Sequence, residues 1–353
     1  MIGRATRVAL GLVGSVTILA LVVYLIGFEA TAEAVVQAGF PAFLATGGLL
    51  VALLALQAAA WAALNRGIGH RMPFVTLLEA TTVGQAGNIL TPSTYLGGEP
   101  AKVFYAGRRT GLSYQELAGT VLLAKYLEAL SFVLFLGVGT ITAAVGFRHV
   151  LFRAPNLALG IAAIVLVAAA LGLCILLWLS LWRNWTPLTA LVSLLARIRL
   201  GRRFFARLRR RAAKMERQAS RVFREEANAV VPAFGLYVLT HVAIFLKPLA
   251  FFFLGWRIGL GLAELGLLFL TCQVLLALQL TPSGVGTLDG GLLGMLALAG
   301  IAITRPQCAA FLLCIRFWDA AVIGVGALLA ARVGAGLFRP RPADPTDPAT
   351  AEP

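Results

Sequence analysis

The stretch LTPSTYLGGEPAK at residues 90–102 decides the fold, because its first four residues return in the stretch LTPSGVGTLD at residues 280–289. Each copy continues into a glycine-rich run and carries an acid eight residues after its threonine, Glu99 in the first copy and Asp289 in the second. Both the threonines and the acids are therefore separated by 190 residues. A shared offset of this kind indicates an internal duplication.

Two charged pairs repeat almost in step with these motifs. Lys125 and Glu128 lie three residues apart in one apolar segment, and Arg316 and Asp319 lie three apart in another, displaced by 191 residues. The pairs are at equivalent positions of two units, so the chain is predicted to be a duplicated membrane unit. Repeat A covers about residues 1–150 and repeat B about residues 155–338.

The composition excludes an ordinary soluble protein. With 59% hydrophobic and 13% charged residues, the 353-residue chain has more apolar surface than one soluble core can bury, which is typical of an integral membrane protein. The net charge of +15 is concentrated between Arg197 and Glu226 and lacks any recognition pattern for nucleic acid, so no nucleic-acid partner is expected. Four cysteines without paired spacing and three scattered histidines predict no metal site and no cofactor.

Hydropathy and loop charge together predict one transmembrane domain over residues 1–338, followed by a disordered tail at 339–353. The basic N-terminus and the arginines after the last apolar segment place both termini in the cytoplasm of a cytoplasmic (inner) membrane. Residues 194–226 are predicted to form a cytoplasmic amphipathic helix with one face of arginines. The six full spans are predicted at about Val8–Gly27, Pro41–Leu64, Leu117–Gly146, Leu157–Trp182, Ala229–Gly255 and Gln307–Ala331.

The two motifs are predicted to be the tips of re-entrant helical hairpins. The segment Phe74–Leu90 is too polar to face lipid, Thr91-Pro92 breaks the helix, and a short limb runs from Gly98 to about Gly107. In the second copy the segment Leu262–Leu280 leads to the motif, and another short limb follows. The first hairpin opens to the cytoplasm and the second to the other side, so the repeats are inverted. Counting each limb as a span would instead give ten crossings.

The motifs at 90–102 and 280–289 resemble those of a flippase-like transmembrane family, typified by the membrane region of lysyl-phosphatidylglycerol synthases. The resemblance covers about residues 5–338 and implies an all-α polytopic fold and lipid flipping. Relatives have been linked to hopanoid and polyprenyl-linked glycan pathways. The chain ends at Pro353 without the family's synthase domain, so aminoacylation is not implied and no enzymatic activity is expected. The second motif usually ends in Glu, where this chain has Asp289.

Each group of candidate residues has a structural and a functional interpretation. Glu99 and Asp289 either complement a helix dipole or bind a lipid headgroup at half-helix N-termini. In the pairs Lys125–Glu128 and Arg316–Asp319, either the two charges of a pair neutralise each other within one helix, or the cation of each pair binds a lipid phosphate. His241 and Lys247 are weaker candidates. The predicted substrate-binding set is Thr91, Pro92, Ser93, Glu99, Lys102, Lys125, Glu128, Thr281, Pro282, Ser283, Asp289, Arg316 and Asp319.

The predicted function is a flippase or transporter that moves a phospholipid, hopanoid or polyprenyl-linked lipid across the cytoplasmic membrane. Arginines between Arg197 and Arg224 are expected to contact an anionic lipid surface. Two alternatives stay open. The chain is an accessory subunit or scaffold for a lipid- or glycan-modifying enzyme, or it is itself an enzyme acting on polyprenyl-phosphate substrates.

Overall fold

The computed structural model describes residues 28–91, 97–151, 157–183, 185–195, 202–277 and 287–335, and all regular structure in these ranges is helical. The predicted all-α class is confirmed. The helices are α1 (Phe28–Gly67), α2 (Phe74–Leu90), α3 (Glu99–Thr110), α4 (Tyr114–Gly146), α5 (Arg148–Leu151), α6 (Leu157–Arg183), α7 (Pro187–Leu195), α8 (Arg202–Glu225), α9 (Ala227–Trp256), α10 (Leu262–Ala277), α11 (Thr287–Ala299) and α12 (Arg305–Ala335).

Four of these helices, α1, α4, α9 and α12, are long and apolar enough to cross a membrane. A helix of 30 residues is about 45 Å long, which exceeds the roughly 30 Å hydrocarbon thickness of a bilayer. The helices α6, α10 and α11 carry shorter apolar stretches. The predicted span before Gly27 and the predicted tail at 339–353 lie outside the described residues.

Helix α1 begins well before the predicted start of its span at Pro41. Its backbone is broken at Gly39, where φ is +72°, and Pro41 follows without a backbone donor. The first segment continues the chain back to Phe28 and contacts α9, where Trp256 Nε1 donates to Gln37 Oε1 over 3.3 Å. The glycine therefore divides α1 into two helical segments instead of ending it.

Helices α1 and α9 form an antiparallel pair that defines the two ends of the bundle. A Cβ added to Gly255 would stand 3.2 Å from Ala38 Cα, whereas one added to Gly67 would stand 2.8 Å from Ala229 Cβ. We call the end that holds Gly67 the Arg109 end, because Arg109 lies there as well. The end that holds Gly255 is the Trp256 end.

The pair α2 and α3 starts and finishes at the Arg109 end. Tyr105 of α3 donates to Glu79 of α2 over 2.8 Å, and a Cβ added to Gly87 would stand 2.7 Å from Gly98 Cα, so the two helices are antiparallel and in close contact. The last turn of α2 packs its Ile89 in one small cluster with Leu54 of α1 and Val322 of α12. Val322 lies near the middle of the 31-residue helix α12.

The pair α10 and α11 starts at the opposite end of the bundle. Gly146, the last residue of α4, lies against Ala263 near the start of α10, and Gly266 lies against Thr142. Farther along, Phe269 of α10 approaches Phe135 of α4, with ring centroids 6.4 Å apart. Helix α10 therefore runs antiparallel to α4 from the Trp256 end.

The predicted amphipathic segment 194–226 contains the 24-residue helix α8, which begins at Arg202. The separate helix α7 precedes it, and residues 196–201 between them lie outside the described ranges. Side-chain hydrogen bonds hold α8 to its neighbours. Glu216, 3% exposed, accepts hydrogen bonds from both the backbone N and Oγ1 of Thr189, and Ser220 donates to the carbonyl of Leu181 over 2.6 Å.

Candidate functional site

Lys125 lies at the centre of a cluster of charged side chains inside the bundle. Its Nζ atom is 2.8 Å from Oε1 of Glu99 and 2.8 Å from Oε2 of Glu128. The exposed fractions of the three side chains are 18%, 14% and 17%, so the ion pairs are largely shielded from solvent. The predicted intrahelical pair is present, and the structure adds the acid of the first motif to it.

The local sequence explains how Glu99 reaches Lys125. Glu99 is the first residue of α3 and follows two glycines. The backbone N of Gly98 donates to Asn88 Oδ1 over 2.7 Å, which fixes the start of α3 against the last turns of α2. A Cβ on Gly98 would run into the carbonyl of Gly84, so the close approach requires a residue without a side chain.

Lys102, also predicted as a site residue, lies one turn farther along α3 and is only 6% exposed. Its Nζ atom is 4.6 Å from the ring centroid of Trp61, a distance that allows a cation–π interaction. The indole N–H of Trp61 donates to Thr120 Oγ1 over 3.0 Å, and Thr120 donates in turn to Asn65 Oδ1. Trp61, Thr120 and Asn65 therefore support the cluster from α1 and α4.

Four of the seven charged residues predicted for the site line one narrow polar cleft. Its volume of about 10 Å³ is the size needed for a single water molecule. Five helices contribute to its wall, including Tyr237 from α9 and Gln57 from α1. The remaining lining residues are Thr81, Gly84, Gln85, Asn88, Glu99, Lys102, Ala124, Lys125 and Glu128.

A much larger and mainly apolar groove of about 900 Å³ lies beside the cleft. Its wall is built by α3 and α4, with Met215 of α8. Glu99 and Lys125 line both the groove and the cleft, so this ion pair separates the two spaces. The groove follows α4 from Ser113, at the Arg109 end, for 12 residues to Lys125, about 18 Å along the helix axis. The other lining residues are Pro100, Val103, Phe104, Tyr114, Gln115, Ala118, Val121 and Leu122.

The charged pair of the second repeat forms within α12. Arg316 Nη1 lies 3.7 Å from Asp319 Oδ2, and the side chains are 10% and 22% exposed. Neither residue lines the groove or the cleft. The structure thus brings Glu99, Lys102 and Lys125 into one cluster with Glu128 and leaves Arg316 and Asp319 as a separate pair.

The motif residues themselves are described only in part. Thr91 ends α2, and its hydroxyl donates to the carbonyl of Gly87 over 3.0 Å. The described residues do not include Pro92 and Ser93 of the first motif or Thr281, Pro282 and Ser283 of the second. Asp289 lies in the first turn of α11, without a described side chain.

His241 is held in the bundle core. Its Nδ1 atom is 2.9 Å from Ser131 Oγ and 3.0 Å from the carbonyl oxygen of Tyr237, and the residue is 5% exposed. Over the described ranges, no three His, Cys, Asp or Glu residues come together in a way that could hold a metal ion.

Long apolar helices around a buried ion cluster, with an apolar groove at its side, define a polytopic helical membrane protein. Residues 8–331 match the family model described as lysylphosphatidylglycerol synthase TM region, and the chain belongs to this family. The resemblance inferred from the two motifs is confirmed, and a role connected with membrane lipids fits the family.

A curated relative supports this assignment. The chain is 27% identical over 289 residues to a UPF0104 membrane protein of Methanothermobacter thermautotrophicus (strain Delta H), and the match covers 78% of this chain and 81% of the relative. No solved structure matches the chain.

Proposed function

We propose that this protein is a lipid transporter of the flippase type, which moves a lipid headgroup across the membrane without covalent chemistry. The observation that carries the proposal is the junction of the 900 Å³ groove with the Glu99–Lys125 pair. An apolar groove fits acyl chains, and charges at one wall fit a headgroup. The volume also lies in the range typical of small-molecule sites, about 300–1,000 Å³.

The ion cluster is suited to exchange its partners with a headgroup. Lys125 already satisfies two carboxylates, and breaking a buried pair costs about 3–5 kcal/mol when nothing replaces the lost partner. A headgroup that carries a phosphate replaces a carboxylate at Lys125, and an amine or hydroxyl on the same headgroup contacts the released Glu99. A lipid without such groups gains no compensation, so the cluster selects polar headgroups.

We further propose that α2 and α3 form a re-entrant hairpin. The 12 residues of α3 extend only about 18 Å, much less than the roughly 30 Å of a hydrocarbon core. The contact of Ile89 with Leu54 and Val322, near the middle of α12, supports a tip at mid-depth. Irregular backbone at that depth is tolerated where protein or a water-filled cavity surrounds it.

The pair α10 and α11 is proposed as the matching hairpin from the Trp256 end. Its helices have 16 and 13 residues, about 24 Å and 20 Å. Two broken-helix pairs that enter from opposite ends are the arrangement of inverted-repeat transporters, in which the repeats rock around a central site. Alternating access of this kind would expose the Lys125 cluster to each side in turn.

The orientation is part of the same proposal. The Arg109 end faces the cytoplasm, the protein lies in the cytoplasmic membrane, and both termini are cytoplasmic. Exposed arginines of α8 then face anionic lipid, which attracts each basic residue by about 1 kcal/mol. Those arginines are Arg209, Arg210, Arg217, Arg221 and Arg224.

Reconstitution into liposomes with fluorescent lipids tests transport. The wild-type chain should move headgroups between leaflets, whereas Glu99→Gln and Lys125→Gln should abolish movement because each breaks the Glu99–Lys125 pair at the groove. Glu33→Gln is the matched control, since Glu33 is exposed in the first segment of α1. Folded wild-type protein that moves no phospholipid, hopanoid or polyprenyl-linked lipid would refute the proposal.

Cysteine accessibility tests the opposed hairpins separately. Single cysteines in place of Arg108, at the Arg109 end, and Arg305, at the start of α12, should be labelled from opposite sides of the membrane. Labelling of both from the cytoplasm would rule out the proposed arrangement.

A further inference from the structure

A second polar cavity lies at the Arg109 end of the bundle. It has a volume of about 290 Å³ and is formed where α2, α3 and α12 meet. It shares no lining residue with the groove or the cleft around Lys125. The lining residues are Glu79, Tyr105, Arg108, Arg109, Arg332 and Val333.

The cavity has an excess of positive charge, with three guanidinium groups against one carboxylate. Glu79 accepts a hydrogen bond from Tyr105 over 2.8 Å and lies 3.7 Å from Arg109, so this acid is already engaged. Arg108 lies over the ring of Phe104. In the part of the chain that the structure describes, neither Arg108 nor Arg332 forms an ion pair with an acid.

Helix dipoles explain each arginine alone but not their convergence. Arg108 and Arg109 lie in the last turn of α3 and Arg332 in the last turn of α12, where a cation complements the helix dipole. These positions are more than 220 residues apart in sequence, and the dipole effect gives no reason for the side chains to share one cavity. The three arginines are exposed, and the excess positive charge that they share in one cavity suits an anion.

We propose that this cavity binds the phosphate group of an anionic membrane lipid. A guanidinium presents two parallel N–H donors that match the oxygens of a phosphate, and three such groups can surround one phosphate. Basic pockets between transmembrane helices are typical sites for acidic headgroups. The site requires no transport activity, because a bound lipid here would link the start of α2 and the end of α3 to the last span.

Native mass spectrometry of the full chain, released from nanodiscs of phosphatidylcholine and phosphatidylglycerol, tests the site. The wild-type protein should retain phosphatidylglycerol, and the double variant R108Q/R332Q should bind it about tenfold more weakly, since two charge-assisted contacts are lost. The matched control R257Q/R305Q removes two exposed arginines outside the cavity and should change binding less than about twofold. Arg257 lies over the ring of Phe253 as Arg108 lies over that of Phe104, so the control also removes a comparable ring contact.

The variant Glu79→Gln gives a prediction of opposite sign. It removes the one acid of the cavity, so retention of phosphatidylglycerol should increase. Equal losses in R108Q/R332Q and the R257Q/R305Q control, or weaker retention in Glu79→Gln, would overturn the proposal.

Competition distinguishes a lipid from free phosphate. Inorganic phosphate at millimolar concentration is added before release from the nanodisc. No displacement identifies the lipid as the ligand. Full displacement in the wild type, with inorganic phosphate itself retained, would overturn the lipid assignment and identify a free-phosphate site.

Discussion

The ammonium group of Lys125 lies 2.8 Å from a carboxylate oxygen of Glu99, an ion pair that joins α4 to the first residue of α3. Because Glu99 belongs to the first motif, this pair ties the motif to the neighbouring long helix. The same lysine holds Glu128 at the same distance. Because Lys125 pairs with both acids, Glu99, Lys125 and Glu128 should respond differently to substitution.

Lys125→Ala should be the most destabilising change in the cluster. It leaves Glu99 and Glu128 largely buried without their cation, which costs about 3–5 kcal/mol in the free energy of unfolding. Glu99→Gln should cost less, since Lys125 keeps Glu128 as its partner. Tryptophan fluorescence during thermal unfolding in detergent measures both. Equal stability of Lys125→Ala and the wild type would contradict the cluster.

Gly98→Ala should separate α2 from α3. The added Cβ would collide with the carbonyl of Gly84 and stand 2.9 Å from the backbone N of Asn88, so the helices must move apart and Glu99 must leave Lys125. Gly137→Ala in α4 is the control, since a Cβ there meets nothing within 4 Å. Gly137→Ala should raise the free energy of unfolding by about 0.5–1 kcal/mol, because alanine has a higher helix propensity than glycine. The melting temperatures of the two variants are compared, and equal values would refute the close contact.

Much of the helical framework follows from hydropathy and helix breakers. The predicted segment Phe74–Leu90 coincides with α2, because Pro73 precedes it and Thr91-Pro92 ends it. The predicted end at Gly146 and start at Leu157 also agree with α4 and α6. The predicted second span begins at about Pro41, whereas α1 begins at Phe28 and continues across the kink at Gly39.

The candidate site was predictable only where charge stands out from an apolar background. Lys125 and Glu128 were recognised because charges are costly at membrane depth, and Glu99 because an acid recurs at the same offset in both motifs. Trp61 and Thr120 were not recognised. Their hydrogen bond joins two residues that are 59 apart in sequence and lie on different helices, so neither segment shows a pattern that predicts it. The groove likewise depends on how α3 and α4 separate, which no local spacing encodes. Substrate binding by the predicted residues stays a prediction.

Trp61→Leu should destabilise the protein more than Trp61→Phe. Phenylalanine loses the hydrogen bond to Thr120, about 1 kcal/mol, and part of the buried indole volume, but it keeps an aromatic face for Lys102. Leucine also removes the cation–π contact, worth about 2 kcal/mol where the cation is desolvated. The free energy of unfolding, measured by chemical unfolding in detergent, should therefore be lower for Trp61→Leu than for Trp61→Phe. Trp182→Phe, at a position 62% exposed, serves as the control with little change, and an equal loss in both Trp61 variants would argue against the cation–π contact.

Glu216→Ala should release α7 from α8 while leaving the bundle folded. The Glu216 carboxylate accepts from the backbone N of Thr189 over 3.0 Å and from its hydroxyl over 2.6 Å, and hydrogen bonds to a charged group contribute about 1.5–3 kcal/mol each. Hydrogen exchange followed by mass spectrometry should therefore become faster across α7 and remain unchanged in α9. Glu225→Ala removes an acid whose side chain is 54% exposed and pairs with Arg221, four residues earlier on the same helix, so exchange in α7 should be unaffected. Because Met215 of α8 lines the groove, Glu216→Ala should also loosen that wall. Unchanged exchange in α7 would mean that apolar packing, rather than this carboxylate, holds the two helices together.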